Sequence, residues 1–343
     1  MTKENRSRIE TLDWLRGLMA LSIMVYHIVI FSLGALDSSS FLGRLGVYGV
    51  SIFFILSGLS MAIVYNQFII NLNTSINFFV RRIFRIWPLL WVVTFFVILS
   101  GNFSWKLILV NFTTLFGFLK PEAYIATGAW SIGNEMVYYA LTPLIIYLYN
   151  FNKWIGNSVF FISLTIGLLF AFTLLNENVP IGDQWEVYVN PFNNLFLYVM
   201  GIAIYYNLRE IEVHQKLNVL LLIFAIILFS WIPFHGNLIS IVTGSGRIFF
   251  VIVSFVIVFC FYKLKIQVPN IIKVSFEKLG IATYGVYLIH PIIYFYLSFI
   301  TDKFIYLMVF VPLLTVSLSI LSYKYFEVKF INFGKTIARV NFF

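Results

Sequence analysis

Apolar runs of membrane-spanning length recur along the chain, separated by short polar or basic stretches, and predict about ten helices. They fall near Trp14–Leu33, Leu45–Tyr65, Ile86–Ser100, Trp130–Tyr149, Ile155–Leu175, Pro191–Asn207, Leu217–Pro233, Arg247–Tyr262, Leu279–Ile300 and Phe304–Tyr325. Two stretches break the pattern. Asn66–Arg85 mixes Phe68, Ile69, Ile70, Ile76, Phe78 and Phe79 with Asn and Ser and ends in arginines, which predicts an interfacial helix leading into the third span. Asn102–Ala129 carries Trp105, Phe112, Phe116 and Phe118 and reads as a segment on the outer interface. No linker, low-complexity run or visible inverted repeat divides the chain. Residues 1–343 therefore read as a single integral-membrane domain, all-α and polytopic, with its spans around a polar tunnel.

Composition narrows the class. The 343 residues are 61% hydrophobic and 11% charged, with a mean hydropathy of +0.92. A soluble domain is about half apolar and a quarter charged, so a soluble protein is excluded. A net charge of +9 would suit a nucleic-acid partner, but the basic residues follow membrane topology instead. With the N-terminus in the cytoplasm, the inner segments hold Lys3, Arg6, Arg8, Arg16, Arg81, Arg82, Arg85, Lys153, Arg209, Lys216, Lys263, Lys265, Lys273, Lys278, Lys324, Lys329, Lys335 and Arg339. The outer segments hold Arg44, Lys106, Lys120 and Lys303, with Arg247 near a helix start. That asymmetry predicts a multi-pass protein with both termini cytoplasmic. The first apolar run is too long for a signal peptide and lacks a small-residue cleavage site. The single Cys260 excludes an intrachain disulfide and disfavours a thiolate metal site; no metal is expected.

Four stretches carry candidate chemistry. In the first, Arg16 and His27 are eleven residues apart, so they share a helix face and lie about 16 Å apart along the axis. Ionisable groups inside a span are costly unless they face a bundle interior. In the second, Arg82 and Arg85 present two guanidinium forks from one helix face, a geometry suited to phosphate and equally to anionic lipid head groups. In the third, Trp130, Ser131, Asn134 and Glu135 lie near the outer end of a span. Glu135 is then at about the depth of His27, where it could orient the imidazole, or it pairs with a Tyr or Arg only to satisfy itself. In the fourth, Tyr287 and His290 lie one turn apart, and Pro291 kinks the helix and frees a carbonyl. A polar lining and a structural His at a kink are both open readings.

Taken together these stretches resemble the acyltransferase-3 family of bacterial membrane O-acyltransferases, which decorate surface polysaccharides and other extracytoplasmic acceptors. The resemblance lies in Leu12-Asp13-x-Leu15-Arg16-Gly17 with the Arg16-to-His27 spacing, and in Gly49–Gly58. It continues in Arg82-x-x-Arg85 before Ile86-x-Pro88, in Trp130-Ser131 with Glu135, in Tyr284-x-x-Tyr287-Leu288-x-His290-Pro291 and in Tyr325-Phe326-Glu327. It covers essentially the whole chain. Lys329 departs from it, standing where the family usually has a Pro two residues beyond the Glu, and no fused extracytoplasmic esterase-like domain is expected.

The resemblance implies an acyl-CoA-dependent O-acyltransferase of the bacterial cytoplasmic (inner) membrane, with acetyl-CoA as the first expectation for the donor. It implies a surface polysaccharide or lipid-linked oligosaccharide as acceptor, contact with membrane lipids and no nucleic acid. Arg16, Arg82 and Arg85 would hold the coenzyme A. His27 would act as general base or transient acyl carrier, with Glu135 orienting it. Trp130, Ser131, Asn134, Tyr287 and His290 would position the acceptor or the oxyanion. The competing class is a transporter or flippase of a lipid-linked sugar or acyl donor, and a third option is acylation of a small molecule or of peptidoglycan.

Overall fold

The computed structural model describes residues 9–69 and 71–338. Lys3, Arg6, Arg8, Ile70 and Arg339 of the sequence reading lie outside the described residues. A helix occupies each of the ten predicted segments. These are α1 (Glu10–Leu33), α2 (Phe41–Tyr65), α3 (Leu72–Ile98), α6 (Ala129–Phe151), α7 (Lys153–Leu169), α9 (Pro191–Leu208), α10 (Gln215–Trp231), α11 (Gly244–Lys263), α12 (Asn270–Ser298) and α13 (Phe304–Ser322). Shorter helices are α4 (Trp105–Phe112), α5 (Phe116–Leu119), α8 (Trp185–Tyr188) and α14 (Val328–Ile337). A π-helical turn, Phe170–Leu174, extends α7, and another, Tyr323–Glu327, joins α13 to α14. No strand occurs among the described residues.

Six of these helical stretches are long and apolar enough to cross a membrane, or seven if α8 and α9, bent by 64°, count as one span. The chain is a multi-pass membrane protein. The count of ten is met by helices but not by spans judged on length and hydropathy, and the reason is local. Every stretch of α3 long enough to span includes Arg81, Arg82 and Arg85; α6 is diluted by Ser131, Asn134, Glu135 and Thr142; α10 has 17 residues. The expected interfacial helix before the third span is a correction. Asn71 and Thr74 form a capping box, and α3 runs unbroken through the arginines to Ile98.

Long apolar side chains point outward all round the bundle, among them Trp231, Ile300, Leu313 and Phe161. That pattern suits a hydrocarbon surround rather than water. Inside, α2 packs most extensively on α9, α1 on α12 and α12 on α13. Glycines permit the closest of these approaches. A Cβ at Gly58 would overlap the Tyr198 carbonyl, and one at Gly201 the Ile55 carbonyl, so α2 and α9 meet backbone to backbone. One end of the bundle gathers Arg81, Arg82, Arg85, Lys153, Arg209 and Lys263 and is called the basic end below.

Candidate active site

His27 of α1 and His290 of α12, 263 residues apart, meet through Nδ1 and Nε2 at 2.8 Å, their rings nearly parallel. The hydrogen positions follow from the third partner. His290 Nδ1 lies 2.9 Å from the Val286 carbonyl oxygen, which can only accept, so Nδ1 carries the proton. In a neutral ring His290 Nε2 then accepts, and His27 Nδ1 must donate to it. This leaves His27 Nε2 as a lone pair with no partner among the described residues. Pro291 lacks the N–H that would bond the Tyr287 carbonyl in a continuous helix, and that freed oxygen also faces His290. His290 is buried and His27 half-buried, with His27 stacked on Phe31 at 5.3 Å.

One turn toward the basic end, Ser131 Oγ and Tyr287 Oη lie 2.8 Å apart, and both reach the Gly128 carbonyl at 3.0 Å. Gly128 has φ +81°, and a Cβ there would meet the Tyr287 hydroxyl at 3.1 Å, so glycine serves both needs. Two hydroxyls carry two protons, and this triangle occupies both. Ser131 and Tyr287 therefore close the start of α6 rather than leave a donor free for an oxyanion.

Glu135 lies elsewhere than expected. It accepts hydrogen bonds from Ser57 Oγ of α2 and from Tyr139 Oη one turn along its own helix, and no contact with His27 is formed. Counting residues from the Ser131–Tyr287 contact puts Glu135 roughly 10 Å nearer the basic end than His27. The matched depth is thus a correction, and the group that orients His27 is His290. From Glu135 a polar thread continues toward the basic end. Arg82 Nη2 donates to Tyr65 Oη at 2.8 Å, and its guanidinium lies against the rings of Tyr65, Phe78 and Tyr139. Arg16 forms an ion pair with Asp13 at 2.6 Å and donates to Ser60 Oγ and the Leu56 carbonyl.

The two arginines expected to act as a pair differ. Arg82 sits in an aromatic cage and is already hydrogen-bonded. Arg85, half-buried, donates no hydrogen bond to a described residue; its electrostatic neighbours are the carboxylate of Glu327 and the hydroxyl of Tyr284. Arg82 also keeps its Nε without a partner, so of the pair Arg85 is the one that donates from none of its nitrogens to a described residue.

The family model of the acyltransferase-3 family (Acyl_transf_3), described as an acyltransferase domain, matches residues 9–324. The chain belongs to this family. No curated protein and no solved structure matches it. The family motifs now have physical content. In Gly49–Gly58, Gly49 lies against Ile23 and Gly58 against α9, while Phe53 packs on Tyr287, Phe54 on Trp130 and Tyr138, and Ser57 bonds Glu135. Trp130 stands in a cluster with Trp185 and Tyr188, and Asn134 is fully buried with neither amide atom hydrogen-bonded.

Sequence reasoning missed Ser57, Ser60 and Tyr65 as members of the thread, and it left the partner of Glu135 open between a Tyr and an Arg without naming Tyr139. The signal for Tyr139 was available, since it stands four residues from Glu135 on one helix face. For Ser57 and Ser60 the spacing shows a shared face and not what that face meets. Among the described residues no group of three His, Cys, Asp or Glu side chains could hold a metal ion.

Proposed function

We propose that this acyltransferase moves an acyl group, acetyl first among them, from cytosolic acyl-CoA to a hydroxyl of a surface polysaccharide or lipid-linked oligosaccharide on the outer side of the bacterial cytoplasmic membrane. The basic end is cytoplasmic in this reading, as are both termini, and the ten long helices all span. The observation that carries the chemistry is the His27–His290 pair, whose hydrogen bonds leave His27 Nε2 unprotonated.

His27 Nε2 takes the proton of the acceptor hydroxyl as its oxygen attacks the thioester carbonyl. The imidazolium so formed keeps donating from Nδ1 to His290, which stabilises it. Collapse of the tetrahedral intermediate breaks the C–S bond, and the proton passes from His27 to the leaving thiolate. Arg85 holds a phosphate of the donor at the cytoplasmic mouth with its open fork. Arg82 and Arg16 support the same region, and Glu135 balances their charge.

Transfer of radiolabelled acetyl from acetyl-CoA to cell-surface polysaccharide, normalised to protein in the membrane, tests this. His27→Asn keeps a polar side chain but no base, and is expected to lose about 10²–10⁴-fold in rate while the protein accumulates normally. His290→Asn is expected to lose less, since it removes the orienting acceptor and leaves the base. Substantial activity in His27→Asn would remove His27 from the mechanism, and the transporter reading would then take precedence.

A further inference from the structure

One buried carboxylate stands beside the donor arginines with no part in the transfer. Glu327 closes the π-turn at the basic end and is 3% exposed. It accepts one long hydrogen bond, 3.3 Å from Ser322 Oγ, and its Oε2 has no donor. A carboxylate buried with so few donors needs a counter-charge. The π-turn and α14 pack on α3, which brings Arg85 near enough to attract the carboxylate, yet the two form no ion pair. Packing holds the separation. Gly334 of α14 is pressed against Phe84, and Phe84 meets Phe333 edge-on at 5.3 Å. Tyr284 Oη donates to the Ile86 carbonyl at 2.7 Å, fastening α12 to α3 next to Arg85.

We infer that Glu327 is the resident counter-charge of Arg85 and sets how tightly this site holds a phosphate-bearing ligand. In the empty site the carboxylate balances the guanidinium from a distance and leaves its fork open. An entering phosphate brings its own negative charge to Arg85, and Glu327 opposes it. Affinity is thereby held down and the spent carrier leaves readily. That a phosphate-bearing ligand enters at Arg85, and that it is coenzyme A, rest on the function proposed above.

The test measures binding of coenzyme A and, separately, inorganic pyrophosphate to the purified full-length protein in nanodiscs. Glu327→Gln is expected to bind both about tenfold more tightly than wild type, because a nearby like charge is gone. Glu327→Asp, which keeps the charge, is expected to bind as wild type does. Arg85→Ala is expected to abolish the gain when combined with Glu327→Gln. Should Glu327→Gln fail to fold, Glu327→Met removes the charge at similar length and decides in its place. Unchanged or weaker binding of both probes in the uncharged variants overturns the inference. So does failure of both to accumulate while Glu327→Asp does, which would assign Glu327 to folding. Tighter pyrophosphate binding without any coenzyme A binding would leave this inference standing and sink the donor reading. Absence of binding by either probe overturns both.

Discussion

Arg44 and Arg85 are both cations inside a helical bundle, and they are used in opposite ways. Arg44, at the end opposite the basic one, is 1% exposed. Its Nε donates to Ser38 O at 2.6 Å, Nη1 to Phe229 O and Ser230 O at 2.9 Å, and Nη2 to Ile232 O at 2.6 Å and Phe234 O at 3.4 Å. These include the last carbonyls of α10, which have no helical partner of their own and carry the negative end of its dipole. Arg247, at the start of α11, is held in part by the same means, its Nη2 donating to Asn193 O and Asn194 Oδ1 above the Phe196 ring while its Nε has no partner among the described residues. Arg85 donates no hydrogen bond to a described residue. A buried arginine whose donors are occupied by backbone oxygen is part of the frame, and one whose fork is open is, in the function proposed above, the place for a ligand.

The comparison breaks first at Arg44. Arg44→Ala strands at least four carbonyls and is expected to lower stability by about 4 kcal/mol or more, read as failure to accumulate or a collapsed thermal transition in detergent. A folded, active variant would show that the carbonyl clamp is dispensable. Next, Arg85→Ala is expected to weaken coenzyme A binding by about 1.5–3 kcal/mol, one to two decades, and also to lower stability, because it leaves the buried Glu327 carboxylate without its counter-charge, so binding is compared per folded molecule. Equal coenzyme A stabilisation of wild type and variant in a thermal-shift titration would return Arg85 to lipid contact. Arg82→Ala sharpens the contrast, because it empties an aromatic cage. It is expected to cost about 1–2 kcal/mol of stability and to affect coenzyme A affinity less than Arg85→Ala does. The smallest effect belongs to Arg209, an exposed partner of Glu210; Arg209→Ala is expected to stay within about 0.5 kcal/mol in the same melts.

The helices were legible because a run of some twenty apolar residues has few alternatives in a membrane, and each expected run holds a helix. The join between the mixed Asn66–Arg85 stretch and the third span was not, because polar residues on one face of a helix look like an interruption until the partner of that face is known. His27, His290, Glu135 and the arginines were all visible as costly residues in apolar surroundings. Their pairing was not. His27 finds His290 across 263 residues, while Glu135 turns to a serine on α2, and nothing in local spacing separates those outcomes. Arg44 and Arg247 read only as topological charges, since their partners are backbone or amide oxygens that any sequence would supply.

The backbone contact between α2 and α9 bears on which parts of the bundle can move. With glycine on both sides, Gly58 and Gly201 leave no layer of side chains between the helices, so a shift of one on the other has to give up close backbone packing. The helix that presents Ser57 and Ser60 to the polar thread is thereby fixed to the frame. A rocking of two halves about this seam is expected to cost that close contact, which points to the other helices for any moving part.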